Sequence, residues 1–378
     1  MPRSRRLVRF AWQAMLIVVV GFPITASARR PHYSKAPYRV FSGHGIKNPR
    51  AIAIDSAGNV WVANHTGNSV SEIQNPRSKT PTILTITGGG LDGPFDIAID
   101  AHNNVWVTNE ANNSVSVLRA NDPTHPQTFT GGGLSNPLGI AVDLNQNVWI
   151  ANCSRNNCGG PGVGMPSTVT ELNQDGVPAP GSPFLGQLLQ TDFTGVAVGA
   201  DDSILITSPS EQNLVRLDNG NPSEFSQATP NPALNFPTAV AVDSFGLVWV
   251  ADFVPRSPGE VAYLTNESPI SNSDAGEMAS NGPSALATDG NEDAWVANSR
   301  DNTVSFLSFG IFGHRLPYKP PISFPTGMAA DNAGNIWIAS YGHDPVAKGR
   351  GAGSVVEMVG VATAVTTPLV CRFATCGP

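Results

Sequence analysis

The chain is built from short hydrophobic segments that alternate with polar turns and recur with nearly the same letters. The first reads NPRAIAIDSAGNVWVAN, in which an apolar run after proline leads to a Gly/Asn turn and then to a segment around tryptophan. Alternation bounded by such turns predicts half-buried β-strands. The seven segments begin at Asn48, Gly93, Asn136, Asp192, Phe236, Gly282 and Phe324.

A tryptophan column sets the period of this repeat. Its members are Trp61, Trp106, Trp149, Trp249, Trp295 and Trp337, with Leu205 in the same place of the fourth segment. The spacing is about 45 residues, apart from one longer interval that an insertion after Asn152 explains. Each repeat adds two more strand signals, such as Ser69 to Ile73 and Thr82 to Thr87. Four strands per repeat of this length are typical of propeller blades.

The predicted fold class is therefore all-β, a seven-bladed β-propeller of four-stranded antiparallel blades over residues 48–360. The segment 29–47 carries one more strand signal, from Tyr38 to Ser42, ahead of the first full repeat. We expect this N-terminal strand to close the last blade, because pairing the two ends of the chain in one sheet holds the ring shut. Residues 361–378 form a tail that contains two cysteines.

Residues 1–28 have the pattern of a signal peptide. Four arginines precede an apolar stretch from Phe10 to Ile24, and the small residues Ala26-Ser27-Ala28 follow as a cleavage site. The apolar stretch is short and interrupted by a glutamine and a proline, which disfavours a membrane anchor. We expect cleavage and a periplasmic or extracellular protein without a membrane span, with retention as an anchor as the alternative.

Charge and cysteine usage narrow the choice of partners. The net charge of −7 becomes −11 once residues 1–28 are removed, because they hold four arginines and no acid. An acidic surface repels phosphate backbones, so we do not expect nucleic acid as a partner. We expect a monomer that binds a protein, peptide or carbohydrate ligand. Cys153 with Cys158, and Cys371 with Cys376, have a spacing that also suits zinc, but export favours two disulfides.

The connections after the second strand supply the first group of candidate binding residues. They are long in the third, fifth and seventh repeats, at Asn152 to Ser167, Asp252 to Gly259 and Ser340 to Ser354. Because they occupy the same place in each blade, they should share one face, and variable loops on a rigid frame often bind ligands. The alternative is that they have no binding role. The candidates they carry are Arg155, Arg256, His343, Asp344, Lys348 and Arg350.

A second group of candidates lies on the strands. The position three after the tryptophan includes Asn109, Asp252 and Asn298, which could form a polar ring at the channel mouth or simply bond their own loops. Asp96 stands where other repeats have Gly or Ala, on the innermost strand. It could bind a cation or an amine at the channel mouth, or be solvated there. The aspartates that end the first strand, such as Asp55, are expected to hold tight turns rather than a metal array.

The repeats resemble the NHL repeat and the streptogramin B lyase family. The resemblance rests on Pro-x-[Gly/Ala]-[Ile/Val]-Ala-[Val/Ile]-Asp, followed by Gly-Asn-Val-Trp-Val-Ala-Asn and Asn-Ser-Val, and it covers residues 38–360. It implies the propeller fold. It also implies an alternative function, a metal-assisted lyase or lactonase with Ca²⁺ or Mg²⁺ at the channel mouth, since these lyases eliminate a cyclic peptide lactone with magnesium.

The resemblance does not extend to the catalytic positions of the lyases. That family places its catalytic histidine directly after the proline that opens a blade. The residues in this place here are Arg50, Phe95, Leu138, Thr194, Thr238, Ser284 and Thr326, and none is a histidine. General acid–base chemistry needs a titratable side chain. We therefore assign no catalytic residue and no cofactor, and predict a scaffold that binds a ligand or partner through its long-loop face.

Overall fold

The structure is a computed structural model. It describes residues 37–153, 167–185, 192–217, 225–227, 234–253, 259–265, 268–269, 281–291, 293–308, 311–315, 320–342 and 353–367. These residues belong to a compact unit spanning Tyr33–Pro378 and form seven four-stranded antiparallel sheets. The prediction of an all-β, seven-bladed propeller is confirmed. Among the described residues, no helix has the length and apolarity needed to cross a membrane.

The first three blades follow one another in chain order after strand β1 (Tyr38–Phe41). Blade 1 consists of β2 (Pro49–Ile54), β3 (Val60–Asn64), β4 (Ser69–Gln74) and β5 (Thr82–Thr87). Blade 2 consists of β6 (Pro94–Ile99), β7 (Val105–Asn109), β8 (Ser114–Arg119) and β9 (Asp122–Phe129). Blade 3 consists of β10 (Pro137–Val142), β11 (Val148–Asn152), β12 (Thr168–Leu172) and β13 (Phe184–Leu185).

The remaining blades repeat the same order of strands. Blade 4 consists of β14 (Val196–Val198), β15 (Ile204–Ser208), β16 (Asn213–Leu217) and β17 (Phe225–Gln227). Blade 5 consists of β18 (Pro237–Val242), β19 (Val248–Asp252), β20 (Glu260–Thr265) and β21 (Ser268–Pro269). Blade 6 consists of β22 (Pro283–Thr288), β23 (Ala294–Asn298), β24 (Thr303–Ser308) and β25 (Ile311–Arg315). Blade 7 consists of β26 (Pro325–Ala330), β27 (Ile336–Ser340), β28 (Ser354–Met358) and, as its fourth strand, β1.

The N-terminal strand closes the ring, as predicted. Strand β1 pairs antiparallel with β28, with Tyr38 opposite Met358 and Phe41 opposite Val355. The Phe41 ring packs on Trp337, with ring centroids 5.5 Å apart. Blade 7 thus joins residues from both ends of the described chain, and opening the ring requires breaking a complete strand ladder.

The turn between the first two strands of a blade is held by an aspartate and a tryptophan six residues apart. In blade 1 the Trp61 indole N–H donates to Asp55 Oδ2 at 3.0 Å, and the Asn59 backbone N–H donates to Asp55 Oδ1 at 2.8 Å. Five further blades repeat this Asp–Trp bond at 2.8 to 3.2 Å. The turn role of these aspartates is as predicted, and the indole bond is an addition. Blade 4 lacks both partners, since Gly199 and Leu205 replace them.

The hydrophobic core lies between successive blades rather than within one. Trp337 of blade 7, for example, packs in one cluster with Ile52, Val60 and Val62 of blade 1. Each blade therefore covers the apolar face of its neighbour, as expected for stacked repeats that cannot bury that face alone. This packing positions the seven first strands around a central channel.

The two faces of the propeller are distinct. We call the loop face the one that carries the connections between the second and third strands, and the turn face the one that carries the Asp–Trp turns. After β28 the chain continues over the turn face, where Thr363 N–H donates to Asp289 Oδ2 at 3.0 Å and Thr367 Oγ1 donates to the Asp55 carbonyl at 2.8 Å. Val361 and Val365 of this segment are buried. Residues 359–367 thus link blades 6, 7 and 1.

Candidate functional site

The first strands of all seven blades line a central cavity of about 290 Å³. Among the described residues, its walls are mainly Ile, Val, Ala, Leu and Met side chains, with Asp96 as the one carboxylate and Thr367 near the turn face. A concave apolar lining with a small number of polar groups is the usual composition of a ligand site.

On the loop face, four blades close the rim of this channel with hydroxyl groups. In blades 4 to 7, the residue directly after the proline that opens the blade, or after its equivalent, is a threonine or a serine. Its hydroxyl donates to a backbone carbonyl of the next blade, and we call these four residues the hydroxyl arc. The bonds are Thr194 Oγ1 to Thr238 O at 3.3 Å, Thr238 Oγ1 to Pro283 O at 3.4 Å, Ser284 Oγ to Pro325 O at 2.6 Å and Thr326 Oγ1 to Pro49 O at 3.2 Å.

The hydroxyl arc stops at blade 1, where Arg50 takes the place of a hydroxyl residue. Its guanidinium carbon lies 3.5 Å from the centroid of the Phe95 ring. The Arg50 side chain makes no hydrogen bond or ion pair with any residue in the described part of the chain. Burial lowers the Arg50 pKa, and the nearby acidic groups of Glu110, Tyr341 and Asp96 oppose this change. A partly buried guanidinium with unused donors is suited to hold an anionic group.

Three consecutive blades place a chain of polar side chains beside Arg50. His65 Nε2 lies 3.1 Å from Glu110 Oε2, and His65 Nδ1 lies 3.5 Å from the Tyr341 hydroxyl. The hydrogen bond from His65 lowers the pKa of Glu110, while burial raises the pKa of Tyr341. We call Arg50, His65, Phe95, Asp96, Glu110 and Tyr341 the mouth cluster.

Asp96, a predicted site residue, lies in the channel lining as expected from its strand. Its carboxylate accepts the backbone N–H of Ile97 at 2.8 Å and that of Ile140 in the next blade at 3.1 Å. Burial raises its pKa to about 6, although both backbone bonds and Arg50 favour the charged form. Asp96 therefore joins blade 2 to blade 3, and its burial favours the protonated form more than water does.

The other strand candidates lie below the loop face and bond their own loops. Asn109 Nδ2 donates to Ser114 at 3.1 Å and to Ser116 at 2.9 Å, and Asn298 makes the equivalent bonds in blade 6. Asp252 is fully buried and accepts the backbone N–H groups of Asn235 and Phe236. These side chains are absent from the cavity lining, so the geometry matches the loop-bonding alternative that the sequence left open.

The long-loop candidates Arg155, Arg256, His343, Asp344, Lys348 and Arg350 lie outside the described residues. The same holds for Cys158, Cys371 and Cys376. Cys153 is buried and is not a free thiol. Its bonding partner is not among the described residues, so the pairing with Cys158 stays a prediction.

Most of the mouth cluster was not predicted from the sequence, because the strand candidates were chosen at the position three residues after the tryptophan. The position four after it holds His65 in blade 1, Glu110 in blade 2 and Tyr341 in blade 7. Those blades are adjacent once the ring closes, so the three side chains meet. A second signal was Arg50, the one charged residue in the column after the proline.

The described residues do not fit a bound metal ion. They contain no group of three or more His, Cys, Asp or Glu side chains that could hold one. Asp96 and Asp252, the acids expected near the channel mouth, lie on different blades and each accepts two backbone N–H groups.

Comparison with known proteins gives the fold but no assigned family. No family model and no curated protein matches the chain. Among solved structures, a streptogramin B lyase is 15% identical over 86% of this chain and 99% of its own, with a TM-score of 0.70. Virginiamycin B lyase from Staphylococcus aureus is 16% identical over 85% and 98%, with a TM-score of 0.68. A gluconolactonase-like protein gives 10% identity over 88% and 94%, with a TM-score of 0.52. The predicted resemblance to these propellers is confirmed at the level of the fold.

Proposed function

We propose that this protein is an exported recognition propeller that binds its ligand on the loop face, at the mouth cluster. The observation that carries the proposal is Arg50, which is partly buried and stacked on Phe95 yet has no protein partner for its N–H donors among the described residues. Leaving such donors unmatched costs free energy, which a ligand group can recover.

The rest of the cluster supports binding more directly than catalysis. Both ring nitrogens of His65 face a partner, one on Glu110 and one on Tyr341, so the ring is oriented but has no open nitrogen for a substrate. Aromatic surfaces of Phe95 and Tyr341 flank the ring, with centroid distances of 6.5 and 6.3 Å. Oriented polar groups between aromatic rings are well suited to a peptide or carbohydrate ligand.

A thermal-shift screen of peptides, carbohydrates and carboxylates tests this proposal, because a ligand that binds the folded state raises its melting temperature. We expect a shift that Arg50→Gln and His65→Ala abolish. Phe245→Ala, which alters an exposed side chain on the turn face, should leave the shift unchanged. If the shift persists in both mouth variants and disappears in Phe245→Ala, the ligand binds on the turn face and the proposed site is wrong.

Acid–base catalysis of the lyase or lactonase kind is the second candidate. It is favoured by the Glu110–His65–Tyr341 chain, through which a proton could pass between the phenol and the carboxylate. The described residues offer no group of side chains that fits a metal ion, so this candidate relies on the three side chains themselves. Incubation with a streptogramin B antibiotic and with gluconolactone tests it. Turnover that is lost in His65→Ala would favour catalysis. If both compounds remain intact, catalysis of this kind is contradicted and the binding proposal stands.

Export and the disulfide between Cys153 and Cys158 complete the proposal. Buried Cys153 lies directly after β11, where the long loop of blade 3 begins. We expect peptide mapping of the exported protein under non-reducing conditions to find Cys153 joined to Cys158, and Cys371 to Cys376. Such a short loop removes a modest amount of chain entropy from the unfolded state, so the bond itself should contribute about 2 kcal/mol to stability. Stoichiometric zinc, or Cys153 joined to Cys371, would contradict this pairing.

A further inference from the structure

We propose that the channel behind the mouth cluster holds the aliphatic chain of an amphipathic monocarboxylate, whose head group binds Arg50. This inference rests on the proposed function and names the chemical class of its ligand. Two separate features of the described residues carry it, the guanidinium at the mouth and the apolar channel behind it.

The head-group site is the edge of the Arg50 guanidinium. Its face is covered by Phe95 at 3.5 Å, so the N–H donors that remain accessible lie in the plane of the group. A carboxylate matches that planar fork with two parallel hydrogen bonds. No residue of the described chain fills this role, since Glu110 is engaged with His65 and does not pair with Arg50 within 4.0 Å.

The charges around Arg50 select a single negative charge. Asp96 and Glu110 both act on Arg50 electrostatically, so a second negative charge on the head group would be repelled by two carboxylates. Both oxygens of Asp96 already accept backbone N–H groups. The cluster thus offers unmatched donors but few unmatched acceptors, which favours a carboxylate over an amine or a phosphate dianion.

The tail site is the cavity of about 290 Å³ that begins beside Asp96. Every blade contributes aliphatic side chains to it, including small ones such as Ala98, Ala141 and Ala241, which leave space along the axis. Burial of methylene groups against such a wall is favourable by about 0.8 kcal/mol each. At the turn-face end of the channel, Thr367 is part of the lining and its hydroxyl donates to the Asp55 carbonyl. Because Arg50 lies at the opposite end, we place the head group at the loop face and the tail toward Thr367.

Calorimetric titration with saturated monocarboxylates from acetate to decanoate, each below its micelle concentration, tests the inference on the full exported chain. We expect affinity to rise by up to roughly fourfold per added methylene. Arg50→Gln should weaken decanoate binding by roughly tenfold to a hundredfold. The matched control is Arg77→Gln, which removes the same charge from the turn face and should change nothing.

Filling the channel separates the tail from the head. Ala241→Leu, or Ala197→Val if the first variant folds poorly, should stop the rise in affinity at shorter chains and leave acetate binding unaltered. Equal affinity at every chain length would overturn the channel inference while the mouth site stands. Decanoate affinity that is unchanged in Arg50→Gln would overturn the head-group assignment. The absence of any carboxylate binding would overturn the inference, and the broader ligand screen would then decide the proposed function separately.

Discussion

At the scale of single residues, the third strands of blades 3 and 7 each carry a glutamate whose charge is costly, Glu171 being partly buried and Glu357 buried. Glu171 and Glu357 each lie opposite the tryptophan of their blade, close to the aspartate that bonds the indole. Burial and the neighbouring aspartate raise the pKa of each to about 7, although Arg39, 3.5 Å from Glu357, opposes this. The protonated forms are therefore the better tolerated ones in the folded protein.

Replacing Glu357 with glutamine should change how stability depends on pH. Because its folded pKa is about 7 and its ordinary value is 4.5, its stabilising effect is complete below 4.5 and is lost as pH rises through 7. Ionisation of Glu357 should account for up to about 3 kcal/mol of the stability that the wild type loses over this window. Glu357→Gln should lose less, as urea unfolding at a series of pH values would measure. Equal pH profiles for Glu357→Gln and the wild type would refute this, and exposed Glu211→Gln is the control.

At the scale of elements, the closing strand depends on contacts that are distant in sequence. Strand β1 completes the β28 ladder, and Phe41 is buried against Trp337. Its place could be predicted from the repeat pattern, because the first repeat was preceded by an unmatched strand.

The mouth cluster could not be predicted in the same way. Its residues come from the three blades next to the closure, and pairs such as His65 and Tyr341 become neighbours through the ring alone.

Deleting residues 29–46 should sharply lower the melting temperature, because the deletion exposes the β28 edge and removes the Phe41 contact. Differential scanning calorimetry would measure the change. Phe41→Ala alone should cost about 3 to 5 kcal/mol, as for other buried aromatic residues. Val40→Thr, at a side chain that is 48% exposed in the same strand, should have little effect. An unchanged melting curve after the deletion would show that β1 does not hold the ring.

At the scale of the whole molecule, the sequence predicted the number of blades and the strands within them because each repeat uses the same local rules. The functional site follows a different logic. It lies where the repeat is broken, at Arg50, Phe95 and Asp96, while blades 4 to 7 keep the regular hydroxyl arc. An alternating pattern predicts which residues form strands, but it does not rank the departures from that pattern by their chemistry.

The path of residues 359–367 also determines how the molecule can be presented to its surroundings. Val359 N–H donates to the Pro37 carbonyl at 2.9 Å, so the chain enters β1 and leaves β28 at the same face, and Thr367 lies there too. A tether attached before Pro37 or after Thr367 would therefore join the body at the turn face. A tag or a surface linkage attached at either of these two points would leave Arg50 and the channel mouth on the opposite face.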